Sequence, residues 1–306
     1  MKFSIVVPLF NKEKHIVRAI NSILKQTHQD FEILIIDDGS TDLSYNKAIS
    51  IKDSRIKVYR KKNEGVSSAR NFGVQHSTCE YIAFLDADDE WKPMFLESII
   101  KMIKKYPEAG AYATSYEFKD QGVTRRANIN VNLNEEEFTV VDYFKCSLND
   151  PLISASSVVI KKSVFEHVGF FSTRLTRGED LEMWCRIALN YPIVFLNKVL
   201  ATYYLDSENK LTRMERNYSE SFLSIAEQFL DKYSKKNKSL YFKEYMIKII
   251  MNKIRYFIDI GKRKQARELL WKYMSTKYSK KIWIKNYLLS YKIVYKINQK
   301  LKNKNI

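Results

Sequence analysis

The 306-residue chain is expected to be an α/β protein: a doubly wound, mostly parallel sheet followed by a C-terminal α-helical extension. Three observations predict this. Over residues 1–205, short apolar runs alternate with amphipathic helical patterns, and such β–α alternation favours a mostly parallel sheet. From about residue 212 onward the sequence reads as helix after helix, with Gly261 nearly alone as a turn residue. Charge divides at the same place: residues 206–306 carry 25 Lys+Arg against 9 Asp+Glu, whereas residues 1–205 carry 27 against 26. That asymmetry marks two parts with different tasks, 1–205 and 206–306.

The candidate strands are Phe3–Val7, Phe31–Ile36, Ile56–Tyr59, Tyr81–Leu85, Gly110–Tyr116 and Ser156–Ile160. Between the first two, "EKHIVRAINSILKQ" puts Ile16, Ile20, Ile23 and Leu24 on one helical face. "GVSSARNFGVQ" and "KPMFLESIIKMIKK" read the same way, the latter with Pro93 near its first helical position. After residue 118, "KDQGVTRRANINVNLNEEEFT" is long and polar, as a mobile loop over a site would be. The helix "GEDLEMWCRIALNY" places Leu181, Trp184, Cys185 and Ala188 on a shared face, with Glu179 and Asp180 at its start.

Composition narrows the classes. Apolar content of 45% with few Gly and Pro excludes a disordered chain. Cys79, Cys146 and Cys185 are far apart with no CxxC pair, so they read as reduced core residues. His15, His28, His76 and His167 show no ligand spacing. "FSIVVPLF" is too short for a secretory signal and is followed by "NKEKH". No apolar run reaches membrane-spanning length, and a cytoplasmic location is expected.

In an open α/β sheet, ligands bind beyond the carboxyl ends of the strands. Acids cluster at three places the sequence assigns to that edge or to a helix start. "IIDDGSTD" ends the second strand with Asp37 and Asp38, either as turn and cap acids or as acceptors for a ligand donor. "LDADDEW" ends the fourth with Asp86, Asp88 and Asp89. A helix cap needs one acid, and a divalent cation is what makes such crowding tolerable. "TRGEDLEMW" sets Glu179 and Asp180 at a helix start, as dipole partners or with Asp180 as general base on a hydroxyl. In "NEGVSSARNFGV", Asn63, Gly65 and Arg70 are candidates to hold a phosphate or nucleotide. There is no Walker A loop, no GxGxxG after the first strand and no hydrolase nucleophile signature.

Five segments in order, "SIVVPLFNKEKHIVRAINSILKQT", "FEILIIDDGSTD", "NEGVSSARNFGV", "EYIAFLDADDEW" and "RGEDLEMWCRIA", resemble the family 2 glycosyltransferases of the GT-A fold. The resemblance covers roughly residues 1–205. It implies an inverting sugar transfer from a nucleotide sugar, usually a UDP-sugar, to a glycan or lipid-linked acceptor, with Mn²⁺ or Mg²⁺. It implies that Pro8 and Asp38 line the nucleoside site with Arg70 close by, and that Asp86–Asp88 is the DXD motif. Asp88 would bind the metal, and Asp86 would contact the sugar-nucleotide or the metal. Asp180 would be the base, with Glu179 and Trp184 shaping the acceptor side. A bacterial surface polysaccharide is the implied setting. A nucleotidyltransferase, another nucleotide-sugar enzyme, and a non-catalytic membrane-associated binding module are the alternatives. One departure stands out: many members carry Arg and His in a "YRxH"-like segment, where this chain has "YYLDSENKLTR". Tyr204 and Asp206 fall near those positions, leaving Asp206, Lys210 or Arg213 to compensate.

On a helical wheel from residue 279, Trp283, Tyr287, Tyr291, Val294, Tyr295 and Leu301 cluster on one side, and Lys281, Lys285, Lys292 and Lys296 on the other. Aromatic and basic faces of this kind suit an anionic membrane surface, against the plain alternative of packing on neighbouring helices. No nucleic-acid recognition motif accompanies the charge, so nucleic acid is not an expected partner. Oligomeric state is not legible.

Overall fold

The computed structural model describes residues 1–206, 218–235, 239–273, 280–291 and 294–295. They fall into two compact units, Met1–Ser221 and Phe222–Ile306.

The first unit opens with β1 (Phe3–Leu9), buried along its whole length. In α1 (Ile16–Leu24), Ile16, Ala19, Ile20 and Ile23 are buried, the single apolar face that helical spacing requires. β2 (Phe31–Asp37), α2 (Ser44–Ser50), β3 (Ile56–Arg60), α3 (Val66–His76) and β4 (Tyr81–Phe84) continue the alternation. β3, β2, β1 and β4 lie side by side in that order, all parallel. β1 and β2 are buried at every position, as strands covered on both faces are. α3 approaches β1 closely enough that a Cβ on Gly73 would stand 2.3 Å from Val6 Cγ1. Val6 is β-branched and buried and cannot swing aside. Gly73→Ala is therefore expected to lower stability by about 1 kcal/mol or more, overpacking outweighing the gain in helix propensity. A urea titration measures it.

β5 (Glu90–Trp91), α4 (Phe95–Lys105), β6 (Ala111–Asp120), β7 (Val123–Arg126), β8 (Phe138–Val141), α5 (Tyr143–Cys146), β9 (Val158–Lys161), α6 (Lys162–Val168), α7 (Glu179–Asn190) and β10 (Ile193–Tyr204) complete this unit. β9 runs antiparallel to both β4 and β6, and β10 runs parallel to β6. The sheet is thus parallel along its first four strands and mixed beyond them, within the expected α/β class. Two reversals at β9 cancel, so β1, β2, β3, β4, β6 and β10 all end at one edge, where ligands bind in such sheets.

Three features differ from the sequence reading. β10 is a twelve-residue strand that the candidate strands omit; a continuous apolar run directly after a helix does not reveal its period. The polar stretch after residue 118 is not one long loop. Gln121 and Gly122, with φ of 46° and 85°, make a turn of the hairpin kind that folds β7 back on β6, and β8 pairs with β10. β7 is exposed throughout, so it lacks the alternation that would have marked it. In α7 the buried apolar residues are Met183, Trp184, Cys185 and Ile187, while Leu181 and Ala188 are only half-buried.

The second unit comprises α8 (Phe222–Tyr233), α9 (Phe242–Asp259), α10 (Arg263–Lys272) and α11 (Lys280–Leu289). α9 is its core helix, with Met246, Ile250, Ile254 and Ile258 buried. Lys253 on α9 is buried as well and pairs with Glu227 of α8 at 2.6 Å. No described helix is long and apolar enough to cross a membrane. Trp283, Tyr287 and Tyr291 keep to one side of the helix, as on the wheel, but the first two pack on Trp271. Trp283 and Tyr287 stack at 5.2 Å and lie edge-on to Trp271, and Trp283 Nε1 donates to the Leu270 carbonyl at 2.8 Å. The exposed arc instead carries Ile284, Leu288 and Tyr291 together with Lys281 and Lys285. Lys292, Lys296 and Leu301 lie outside the described residues.

Candidate active site

The carboxyl edge collects the sequence-selected acids. Pro8 is buried near the end of β1, paired with Ile36. Asp38, just beyond β2, fastens the loop that leads into α3. Its carboxylate accepts from Lys61 Nζ at 2.6 Å, Glu64 N at 3.1 Å and Gly65 N at 2.7 Å. An anion there also lies at the positive end of the α3 dipole. Gly39 makes the approach possible: it has φ 76°, and a Cβ on it would stand 2.9 Å from Asn63 N. Asn63 is exposed on the same loop.

Arg70, on α3, joins two motifs that lie far apart in sequence. Its Nη2 donates to Asp86 Oδ1 at 2.9 Å and its Nη1 to Glu179 Oε1 at 3.0 Å. The guanidinium is almost wholly buried, which alone would favour deprotonation. The charges of Asp86, Glu179 and Asp180 more than offset this, and its pKa is raised. It lies over the Phe171 ring at 5.5 Å, and Phe171 in turn meets Trp184 edge-on at 5.7 Å.

Asp180 stands in the first turn of α7, after Gly178 in the left-handed region at φ 68°. Protein surrounds it as densely as a core residue, yet part of its surface is accessible. A side chain at the floor of a cleft has that combination. Burial, then the adjacent Glu179 charge, push its pKa up to about 7, against the opposing pull of Arg70. A carboxylate so tuned accepts a proton more readily than an ordinary one.

The loop after β4 is pinned by contacts the sequence did not signal. Asp86 N donates to Ser156 Oγ at 3.1 Å, and that hydroxyl donates to Asp89 Oδ2 at 2.5 Å. Asp89 Oδ1 accepts from Tyr204 N at 3.2 Å. Asp89 is fully buried and ties β10 to the region just before β9; it does not start a helix. Glu90 belongs to β5 and accepts from the Tyr204 hydroxyl at 2.8 Å. Lys12 Nζ pairs with Asp88 Oδ2 at 2.9 Å. Lys12 follows β1 at the binding edge, so the edge rule alone marks it; Ser156 carries no such signal.

Two placements depart from the sequence reading. Trp184, expected on the acceptor side, is 0 % exposed and packs behind Phe171. Glu179, expected there too, is buried and committed to Arg70. Of the residues named to compensate for the missing Arg and His, Asp206 accepts from Gln121 N at 3.4 Å among the described residues. Lys210 and Arg213 lie outside the described residues.

A divalent cation fits the donor set at Asp86 and Asp88, two hard carboxylates at the binding edge. Among the described residues no three acid, His or Cys side chains converge. Further ligands would therefore come from phosphate oxygens and water, the usual pattern for Mg²⁺.

A mixed α/β sheet with acids after β2, an Asp-Ala-Asp loop after β4 and an acid pair opening a later helix has the layout of a GT-A glycosyltransferase. The chain belongs to glycosyl transferase family 2, whose sequence profile matches residues 4–169. It is 31% identical over 234 residues to an uncharacterized glycosyltransferase of Rickettsia conorii, covering 75% of this chain and 37% of that protein. It is 28% identical over 244 residues to glycosyltransferase GlyG of Streptococcus pneumoniae, covering 76% and 78%. The chain spans about a third of the length of the curated relatives it matches first. In fold it is similar to the crystal structure of S. aureus TarS in complex with UDP-GlcNAc, with TM-score 0.65 and 19% identity, over 94% of this chain and 79% of that one.

Proposed function

We propose that the chain is an inverting glycosyltransferase that moves a sugar from a UDP-sugar to a hydroxyl of a glycan or lipid-linked acceptor, in building a bacterial surface polysaccharide. The observation that carries this reading is the Arg70 bridge. One guanidinium joins Asp86 of the DXD loop to Glu179, the neighbour of Asp180. Donor-side and base-side residues therefore meet across a single side chain. A UDP-bound and a UDP-GlcNAc-bound structure of a protein of the same fold support the choice of donor.

In this mechanism Asp180 takes the proton of the incoming hydroxyl as its oxygen bonds to the anomeric carbon. The bond from that carbon to the diphosphate breaks on the opposite side, and UDP leaves. One displacement inverts the centre and needs no covalent protein nucleophile. Asp88 and Asp86 would hold Mn²⁺ or Mg²⁺, which stabilises charge on the leaving diphosphate when bound. The test is incubation with a panel of nucleotide sugars and Mn²⁺, reading free nucleotide. We expect acceptor-dependent release of UDP, lost with EDTA. Release of pyrophosphate instead, or neither turnover nor UDP binding, counts against the reading.

A cytoplasmic site on the inner membrane face completes the proposal. All three cysteines are buried and none forms a disulfide, which suits a reducing compartment. The exposed arc of α11 joins Ile284 and Leu288 to Lys281 and Lys285, and ten Lys and no acid follow Glu268. Each such Lys adds about 1 kcal/mol of attraction to an anionic leaflet. Deleting 271–306 is expected to move the protein from membrane to soluble fraction; an unchanged membrane fraction refutes this attachment.

A further inference from the structure

The cations at the binding edge fall into two groups. Lys12, Arg60, Lys61 and Arg70 each face a carboxylate, on Asp88, Asp37, Asp38 and Asp86 respectively. Arg18 and Lys119 have no carboxylate within ion-pair distance among the described residues, and they share one aromatic ring. Arg18 Cζ lies 3.6 Å from the centre of the Tyr204 ring, and Lys119 Nζ lies 5.2 Å from it. Arg18 Nη2 donates to the Asp88 carbonyl at 2.5 Å, which ties it to the DXD loop. The nearby acids are otherwise engaged: Glu90 accepts from the Tyr204 hydroxyl, and Asp206 from Gln121 N. Tyr204 is itself 9% exposed, and its main-chain N–H is held by Asp89, so the platform is fixed.

We propose that Arg18, with Lys119, forms a phosphate-binding subsite around Tyr204 beside the DXD loop. Stacking occupies a face of the guanidinium and leaves its in-plane edge for hydrogen bonds. Nη2 is spent on the Asp88 carbonyl and Nε is buried, so Nη1 is the donor that remains for a phosphate oxygen. Arg18 sits on α1 yet reaches Tyr204, at the end of β10. The phosphate can be the diphosphate of the donor or a phosphate carried by the acceptor. The inference rests on the transferase reading only for where that phosphate comes from.

Isothermal calorimetry in EDTA, comparing the whole protein with Arg18→Gln/Lys119→Gln, tests it using inorganic pyrophosphate, UDP and uridine. Pyrophosphate affinity is expected to fall about tenfold or more in the double variant. A parallel fall for UDP, with uridine unchanged, assigns the subsite to the donor diphosphate. Unchanged UDP affinity beside weakened pyrophosphate assigns it to an acceptor phosphate. Pyrophosphate binding that is absent from the native protein, or equal in the two, overturns the subsite. Should the double variant unfold, Lys119→Glu reverses one charge at a strand end without removing packing. It must weaken pyrophosphate in the same direction, and no effect overturns the proposal. A native protein that binds neither UDP nor uridine when Mn²⁺ replaces the EDTA counts against the transferase reading and leaves the pyrophosphate comparison intact.

Discussion

Asp180→Asn is expected to lower kcat by about 10²–10⁴, the range a positioned general base contributes. UDP affinity should stay within about twofold, because the amide keeps the shape and removes only the proton acceptor. Calorimetry and transfer assays on the same preparation separate the two effects. Full transfer by this variant would refute the assignment. The pH dependence has a defined sign. A base works ionised, and Asp180 is pushed up to about 7 by burial and by Glu179. In the native enzyme kcat/KM should therefore fall about tenfold per unit below pH 7; an ordinary carboxylate would place that limb near pH 4. Stability runs the other way. With the folded pKa raised, the folded protein binds more protons than the unfolded chain between about pH 4 and 7, so stability drops as pH rises through that window. Asp180→Asn removes the crowded charge and should melt above the native protein at pH 8. A lower melting point would mean that the charge is compensated, not tolerated for function.

The sequence exposed those parts of the site that follow from local chemistry. The acid clusters Asp37–Asp38, Asp86–Asp89 and Glu179–Asp180 were visible because crowded carboxylates at strand or helix ends are costly without a purpose; the family resemblance singled out Asp38, Asp86, Asp88 and Asp180 within them. The strands Phe3–Leu9 and Phe31–Asp37 were visible as apolar runs bounded by polar turns. What stayed hidden depends on long-range placement. Ser156 is an unremarked Ser in "ISASSVVI", and only the sheet order brings it under Asp86 and Asp89. Arg18 looks like the polar side of an amphipathic helix, and its ring partner, Tyr204, lies far along the sequence at the end of β10. Trp184 was put on the acceptor side by the family resemblance, whereas the helical phase that groups it with Cys185 turns it inward. Asp89 and Asp88 are adjacent and alike in sequence. Asp88 lies within the turn closed by the Asp89 N–H on the Asp86 carbonyl, and Asp89 leads out of it into β5, so the two side chains reach different partners, Lys12 and Ser156.

Arg70→Met is the second large effect, and it should strike folding, donor binding and the pH profile together. Removing one partner of a buried ion pair costs about 3–5 kcal/mol, since the charges left behind stay desolvated. Asp86 and Glu179 would both lose the cation that now holds them. UDP affinity should fall as the DXD loop loses its anchor. The pH limb then discriminates among explanations. Arg70 lowers the pKa of Asp180 while Glu179 raises it. Arg70→Met should accordingly move the acid limb of kcat/KM above pH 7, and Glu179→Gln should move it below. Arg70→Lys keeps the charge but not the two-pronged geometry, so it should restore the limb more fully than the stability. If both substitutions shift the limb the same way, or neither shifts it, the bridge does no more than hold α3 to α7, and the electrostatic link between donor side and base is wrong.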